Sequence, residues 1–383
     1  MLESVKLYNQ NAPIAELTGE NIPLYEGCVF TYFKVKTAKL LNETLAPALI
    51  LAKTKHSNSG CEASLEDKLT YWLRKRELSG KREDISFKNI NICWTDDRPH
   101  YASLTDQYWL QYDNDEKWKD INFFTNDYSE AVGDAVFSKN LQNIEKLNFS
   151  CNSPDITTNG VMKKRWKKEG KFSYLIKASS KKFNQTFVSE ILAVRLLNSM
   201  GIGVNAVAYE LTIEGYELCC RCKNFVTKNT EFVPAVNIYA AVPYTEEELN
   251  IENLSERIYK HLITAVENYK IDGAKTFIDR MIMIDRILMN TDRHLGNFGF
   301  LKNVQTGEFS GCAPLFDFGN SFFSDKNNLD KICFKYRDDE LIKRNGNENI
   351  IFDKMQLEKL RETVNESNLF GNKAALVGRI EKN

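Results

Sequence analysis

The stretch Asn290-Thr-Asp-Arg-His-Leu-Gly-Asn-Phe298, followed by Ala313-Pro-Leu-Phe-Asp-Phe-Gly-Asn320, decides how this chain is read. Asp292 and Asn297 are five positions apart, and Asp317 opens a D-F-G about twenty residues later. Phosphoryl transfer from ATP needs a carboxylate beside the acceptor hydroxyl and oxygen ligands for a magnesium ion that bridges the phosphates. Asp292, Asn297 and Asp317 supply those three oxygens from two loops. Taken singly, each piece is weak, because an Asp near an Asn is more often a turn or a helix cap.

What raises the signal is the order of elements upstream. A loop, Ser153-Pro-Asp-Ile-Thr-Thr-Asn-Gly160, leads into a polar strand over 161–167. A Glu169-Gly170 turn follows, then an apolar strand, Phe172-Ser-Tyr-Leu-Ile-Lys177. Asn159-Gly160, Glu169-Gly170 and Glu214-Gly215 are hairpin punctuation, so an antiparallel meander is expected. Between its strands the spacing predicts a helix over 185–200, with Phe187, Ile191, Val194 and Leu197 on one stripe and Gly201 to end it. Glu190 lies beside that stripe, so its carboxylate is expected to point inward and to need a cationic partner, for which Lys177 is the natural candidate. Two strands (205–213 and 216–226) follow, then a mainly helical region from about residue 245, with a long helix through 275–290 and a last one near 353–366.

Strand with terminal Lys, helix with Glu, further strands, helices, Asp-x4-Asn and D-F-G is the part list of a protein kinase in chain order. Residues 150–320 resemble the HipA-like serine/threonine kinases, the toxin-type bacterial kinases. The matching residues are Y-L-I-K at 174–177, Glu190 in the helix before M-G-I, N-T-D-R-H-x-x-N-F at 290–298 and A-P-L-F-D-F at 313–318. W-L-R-K-R-E-L at 72–78 and S-L-T-D-Q-Y-W at 103–109 extend the likeness more loosely.

The resemblance implies an α+β, two-lobed kinase-like fold. Residues 146–383 would form the kinase domain (146–240 the β-rich lobe holding one helix, 241–383 the α-rich lobe), after a smaller α+β region over 1–145. It implies Asp292 as catalytic base, Asn297 and Asp317 as magnesium ligands, Lys177 on the ATP phosphates and Glu190 orienting Lys177. There is no G-x-G-x-x-G; Thr157, Thr158 and Gly160 are the residues expected to meet phosphate. His294 either braces the loop or assists proton transfer. The expected cofactors are ATP and Mg2+, the acceptor a Ser/Thr hydroxyl of a protein, and a further partner a small DNA-binding antitoxin. Self-phosphorylation in the 150–160 loop would use Ser153, Thr157 or Thr158. D-R-H-x-x-N with D-F-G equally suits a phosphoinositide-type lipid kinase, so these residues leave the acceptor open. An inactive kinase-like interaction module is the remaining alternative, against which the intact Lys177, Asp292, Asn297 and Asp317 set weighs.

The 383 residues carry 51 Lys+Arg against 52 Asp+Glu, a net charge of -1 that argues against general binding of nucleic-acid backbone or anionic membrane. With 43% hydrophobic and 27% charged residues, the composition excludes disorder, collagen and coiled coil. No stretch approaches the roughly 20 apolar residues that span a bilayer, and the first residues lack a signal-peptide pattern, so a cytoplasmic protein is expected. Nine scattered cysteines suit reduced thiols. Cys219-x-x-Cys222 lacks a second ligand pair for zinc and reads as a strand with buried thiols. The run Lys163-Lys-Arg-Trp-Lys-Lys168 alternates Lys163, Arg165 and Lys167 on one face with Lys164, Trp166 and Lys168 on the other. It is expected to be a solvated edge strand that favours ATP electrostatically. In residues 1–145, strand-like runs at 5–9, 30–36 and 48–55 accompany one helix, Leu65 to Arg76. The aromatic, acidic stretch 108–124 is expected to pack as an α+β layer.

Overall fold

A computed structural model describes residues 2–23, 31–52, 63–77, 92–94, 98–138, 147–158, 162–179, 186–200 and 205–322. Runs of strands and runs of helices make up an α+β arrangement, the class expected. The chain divides into two compact units: Met1–Ala178 with Thr212–Val233 and Leu301–Glu308, and Ser179–Leu211 with Pro234–Phe300 and Phe309–Asn383.

The first unit holds one four-stranded sheet and most of a second. In one, the strands run in the order Thr31–Leu40, Ala12–Pro23, Glu3–Asn9, Tyr108–Gln111, each pair antiparallel. Alternation along Glu3–Asn9 buries Val5 and Leu7, which pack with Leu17, Phe33, Val35 and Leu110. Helix Leu65–Arg74 lays Leu69, Trp72 and Leu73 on the same core, and its first turn is capped by Ser64, whose side chain accepts from the Asp67 amide. Of the strand expected over 48–55, the described part holds instead a single 3-10 turn, Ala48–Leu51, and residues 53–55 lie outside the described residues. Pro47 precedes it and fixes φ, and the Ile50 N–H turns back to the Pro47 carbonyl at 3.1 Å. A short apolar run carries no period that would separate the two outcomes. Strand Tyr108–Gln111 and the short helix Trp118–Ile121 confirm the α+β layer over 108–124.

The second sheet has the order Lys164–Glu169, Phe172–Ala178, Glu217–Lys223, Tyr209–Glu214. Its hairpin turns fall where expected, with Gly170 at φ +60° and Gly215 at φ +59°, conformations that cost other residues strain. Cys219 and Cys220 are fully buried, and Cys219 packs with Ile176, Ala178, Val136 and Phe137.

The basic strand lies at the edge of its sheet as expected, but it is not solvated. It runs over Lys164–Glu169, and Arg165 is 1% exposed. The guanidinium of Arg165 is held by Glu130 Oε2 at 2.7 Å, Asp134 Oδ1 at 2.5 Å and Glu214 Oε1 at 2.9 Å. Helix Ala131–Phe137 covers the strand closely enough that a Cβ on Gly133 would lie 2.6 Å from Arg165 Nε. On the opposite face Trp166 packs with Ala102, Leu104 and Phe123. Lys163 pairs with Glu217, Lys167 with Glu214 and Lys168 with Asp127. The alternation holds; the acidic helix that packs on the strand is what alternation does not reveal.

The second unit is mainly helical: Thr186–Met200, Ala235–Ala241, Glu246–Leu249, Leu254–Asn268 and Ala274–Leu288. The expected stripe on the first of these is buried at Ile191, Val194 and Leu197, and Glu190 is 1% exposed. Ala274–Leu288 buries Ile278, Met281, Ile282, Ile284 and Ile287, and Asp285 lies within that apolar face. Among the described residues no helix is long and apolar enough to cross a membrane. The helix expected near 353–366 lies outside the described residues, as do Gly160 and Gly201.

Candidate active site

Helix Ala274–Leu288 stops at Met289, which takes a left-handed conformation (φ +57°), while the Asn290 amide returns to the Asp285 carbonyl at 2.9 Å. The chain then enters the loop 290–298, whose polar side chains brace its own backbone. The Asn290 amide group donates to Asp285 Oδ1 at 2.8 Å, and Asn290 Oδ1 accepts from the Asp292 N–H at 3.2 Å. Asn297 Nδ2 donates to the Asp292 carbonyl at 3.0 Å, which commits the amino half of that side chain to the loop and leaves Oδ1 as the group facing away from it. His294 is exposed, and its Nδ1 accepts from the Gly296 N–H at 3.0 Å.

The D-F-G loop is laced to this one. Asn320 Nδ2 donates to Asp292 Oδ2 at 3.0 Å, the Thr291 amide and hydroxyl both donate to the Asn320 carbonyl at 3.2 Å, and the Phe322 amide caps the Leu288 carbonyl at 2.9 Å. Asp317 itself sits at φ +65°, in the left-handed region that aspartate enters more readily than most side chains. The Phe318 amide next to it donates to Glu190 Oε2 at 2.8 Å, and Phe318 is fully buried. Glu190 therefore points into the fold as expected, and its carboxylate bonds the backbone of the D-F-G.

Electrostatically the site is a cluster of carboxylates around one buried cation. Burial, and then the neighbouring charge of Asp317, push the Asp292 carboxyl above the usual carboxylate range, against the opposing pull of His294, the Asn320 bond and Arg293. Burial works against the charge on Arg293. The Asp285 carboxylate in contact more than offsets it, with Asp317 and Glu190 adding to the same effect.

The remaining expected site residues belong to the first unit. Lys177 is the penultimate residue of strand Phe172–Ala178, 6% exposed and in register with Lys164 and Cys220. Thr157 and Thr158 follow Pro154, and both hydroxyls donate to its carbonyl, at 3.2 and 2.8 Å. Thr158 Oγ1 also accepts from Trp166 Nε1 at 3.1 Å, and the Ser153 hydroxyl, 1% exposed, donates to the Ser129 carbonyl at 2.8 Å. Reading the sequence missed Arg293, Asp285, Asn290 and Asn320. Arg293 and Asn290 lie inside the decisive motif, and the signal for Asp285 is a carboxylate that, like Asp279, falls among the isoleucines of the long helix.

The chain is 29% identical over 152 residues to the serine/threonine-protein kinase CtkA of Helicobacter pylori (strain J99), a stretch covering 38% of this chain and 43% of that kinase. The matched segment thus spans less than half the length of the curated relative. Among solved structures, the crystal structure of a Helicobacter pylori proinflammatory kinase CtkA aligns with a TM-score of 0.43 at 19% identity, covering 59% of this chain and 88% of that one. A Shewanella oneidensis MR-1 toxin-antitoxin complex of HipA, HipB and operator DNA aligns with a TM-score of 0.47 at 10% identity, covering 99% and 97%. No family model matches the chain. Over those 152 residues the chain is similar to a serine/threonine-protein kinase.

Proposed function

We propose that this protein is an ATP- and magnesium-dependent serine/threonine kinase of the HipA-like type, transferring the γ-phosphoryl group of ATP to a protein hydroxyl. The observation that carries the reading is the lacing of Asp292, Asn297 and the D-F-G loop into one cluster, with Glu190 bonded to the Phe318 amide. The CtkA match favours a protein acceptor over a lipid one.

In this reading Asp292 accepts the proton of the acceptor hydroxyl as its oxygen bonds to the γ-phosphorus and the bond from that phosphorus to the β–γ bridging oxygen breaks, releasing ADP. Asn320 fixes the Asp292 carboxylate, and its raised affinity for a proton makes it a better base than a solvated aspartate. Asn297 and Asp317 fit a divalent cation. Asn297 Oδ1 is turned away from the bond made by Nδ2, and the repulsion between Asp292 and Asp317 is relieved by positive charge between them. When bound, magnesium supplies charge neutralisation on the phosphates. Lys177, Thr157 and Thr158 are proposed for the ATP phosphates, and a cytoplasmic location and a small DNA-binding antitoxin-like partner belong to the same proposal. Co-purification with a helix-turn-helix protein encoded next door checks the last of these.

The test is phosphoryl transfer from labelled ATP to protein extract, phosphoinositides and sugars. Protein is labelled by the wild type, and Asp292→Asn and Asp317→Asn each lose about 10²–10⁴-fold in rate, the usual worth of a positioned proton acceptor or charge stabiliser. Near wild-type labelling by either variant overturns the assignment, and labelling of lipid alone moves it to the lipid kinases.

A further inference from the structure

Arg293 is the largest fully buried charged side chain among the described residues of the second unit and plays no part in the transfer described above. Its side chain is 0% exposed. Nε donates to Asp285 Oδ2 at 2.8 Å and Nη2 to Asp285 Oδ1 at 3.2 Å, a fork on one carboxylate. Nη1 donates to two backbone carbonyls, those of Asn297 at 2.5 Å and Phe316 at 2.6 Å. The first belongs to one of the two proposed metal ligands and the second to the residue that precedes the other, Asp317. The guanidinium plane also lies 5.0 Å from the Phe318 ring centroid. Asp285 in turn is held by the Asn290 amide group, so it is fixed by the helix it rides on and by the start of the loop.

We infer that Arg293, held by Asp285, is a positioning residue that sets the separation of Asn297 and Asp317 and so the affinity of the site for its divalent cation. This rests on the kinase reading of those two residues. One nitrogen bonded to both backbones makes the spacing of the two loops depend on a planar fork. Lysine carries its three donors on one rotatable nitrogen and cannot hold the Asp285 fork and both carbonyls together. A charge placed only for stability would have no need to bond the carbonyls flanking two ligand side chains.

The experiment measures Mn2+ binding by electron paramagnetic resonance in the presence of a non-hydrolysable ATP analogue. It also measures the Mg2+ dependence of phosphoryl transfer, for wild type, Arg293→Lys and Asp285→Asn. All data are taken below the melting onset of each variant, so that lost stability is read separately. Both variants are expected to bind Mn2+ about tenfold more weakly, the change that ~1.4 kcal/mol produces. Their Mg2+ activation constants rise to match, while KM for the acceptor protein stays within about twofold, since uniform substrate binding is untouched. Folded variants that melt earlier but bind Mn2+ as tightly as the wild type overturn the inference and leave Arg293 a structural charge. A wild type that neither transfers phosphate nor binds Mn2+ overturns the kinase reading instead, and this inference with it.

Discussion

Replacing Glu77 by glutamine should flatten the pH dependence of stability in the first unit. Glu77 follows helix Leu65–Arg74 and is 8% exposed. Oε1 accepts from the Tyr101 hydroxyl at 3.0 Å, and that hydroxyl accepts from the Phe33 N–H at 2.9 Å. Oε2 is buried with no hydrogen-bond partner among the described residues. Burial is the main cause that pushes the carboxyl up to about 8, against the opposing effects of the Tyr101 bond and Arg74. Because the folded value lies above the unfolded one, this contribution to stability is fully present below about pH 4.3. It falls as pH rises, because the unfolded chain ionises while the folded one stays protonated, and the loss ends near pH 8. At ~1.4 kcal/mol for each unit of displacement, the loss is about 3 to 5 kcal/mol between pH 4.5 and 8.5. The Glu77→Gln substitution removes that slope. The amino group of the new side chain takes the place of Oε2 and lacks an acceptor, so the variant should be about 1–3 kcal/mol less stable than wild type at pH 5. It should equal or exceed wild type at pH 9. Urea unfolding midpoints of both proteins across pH 5–9 check this; parallel pH profiles would refute a buried, protonated Glu77. Glu231, pushed up to about 7 chiefly by burial, contributes to the slope in both proteins and cancels in the comparison.

Lys177→Ala should weaken binding of an ATP analogue by about 10- to 100-fold, the worth of a charge-assisted bond to phosphate, and calorimetric affinity equal to wild type removes Lys177 from the site. Arg165→Met strips the cation from Glu130, Asp134 and Glu214 and should cost about 2–4 kcal/mol, less than a fully buried pair because Asp134 is largely exposed. An unchanged melting temperature would show that the three carboxylates do not depend on it. After incubation with ATP, mass spectrometry should find phosphate on Thr157 or Thr158 before Ser153, whose hydroxyl is buried against the Ser129 carbonyl. An unmodified 150–160 segment defeats self-phosphorylation there.

Local features read from the sequence survived folding where a short-range cause sufficed. The turns at Gly170 and Gly215 need a left-handed residue, and each sits between two strands of matching alternation. The long helix was legible because its isoleucines and methionines repeat at helical spacing over fifteen residues. The 48–51 turn was not, because four apolar residues satisfy either period and Pro47 acts on the chain before them. The lysine-rich strand failed differently: its alternation was right and its environment unknown, since Glu130 and Asp134, about thirty residues upstream, supply the charges that let Arg165 be buried.

The same division runs through the site. The sequence by itself supplied the residue types and the spacing from which the site is read, Asp292, Asn297 and Asp317 at the head of D-F-G. Only the tertiary structure decided what holds them. Asn320 reaches Asp292 from 28 positions away, and Glu190 reaches the Phe318 amide from 128. Arg293 bonds the carbonyls of both loops. The reason is physical: a side chain's acid-base character is its own, whereas its burial, its partner and the charge of its neighbour exist once distant segments pack.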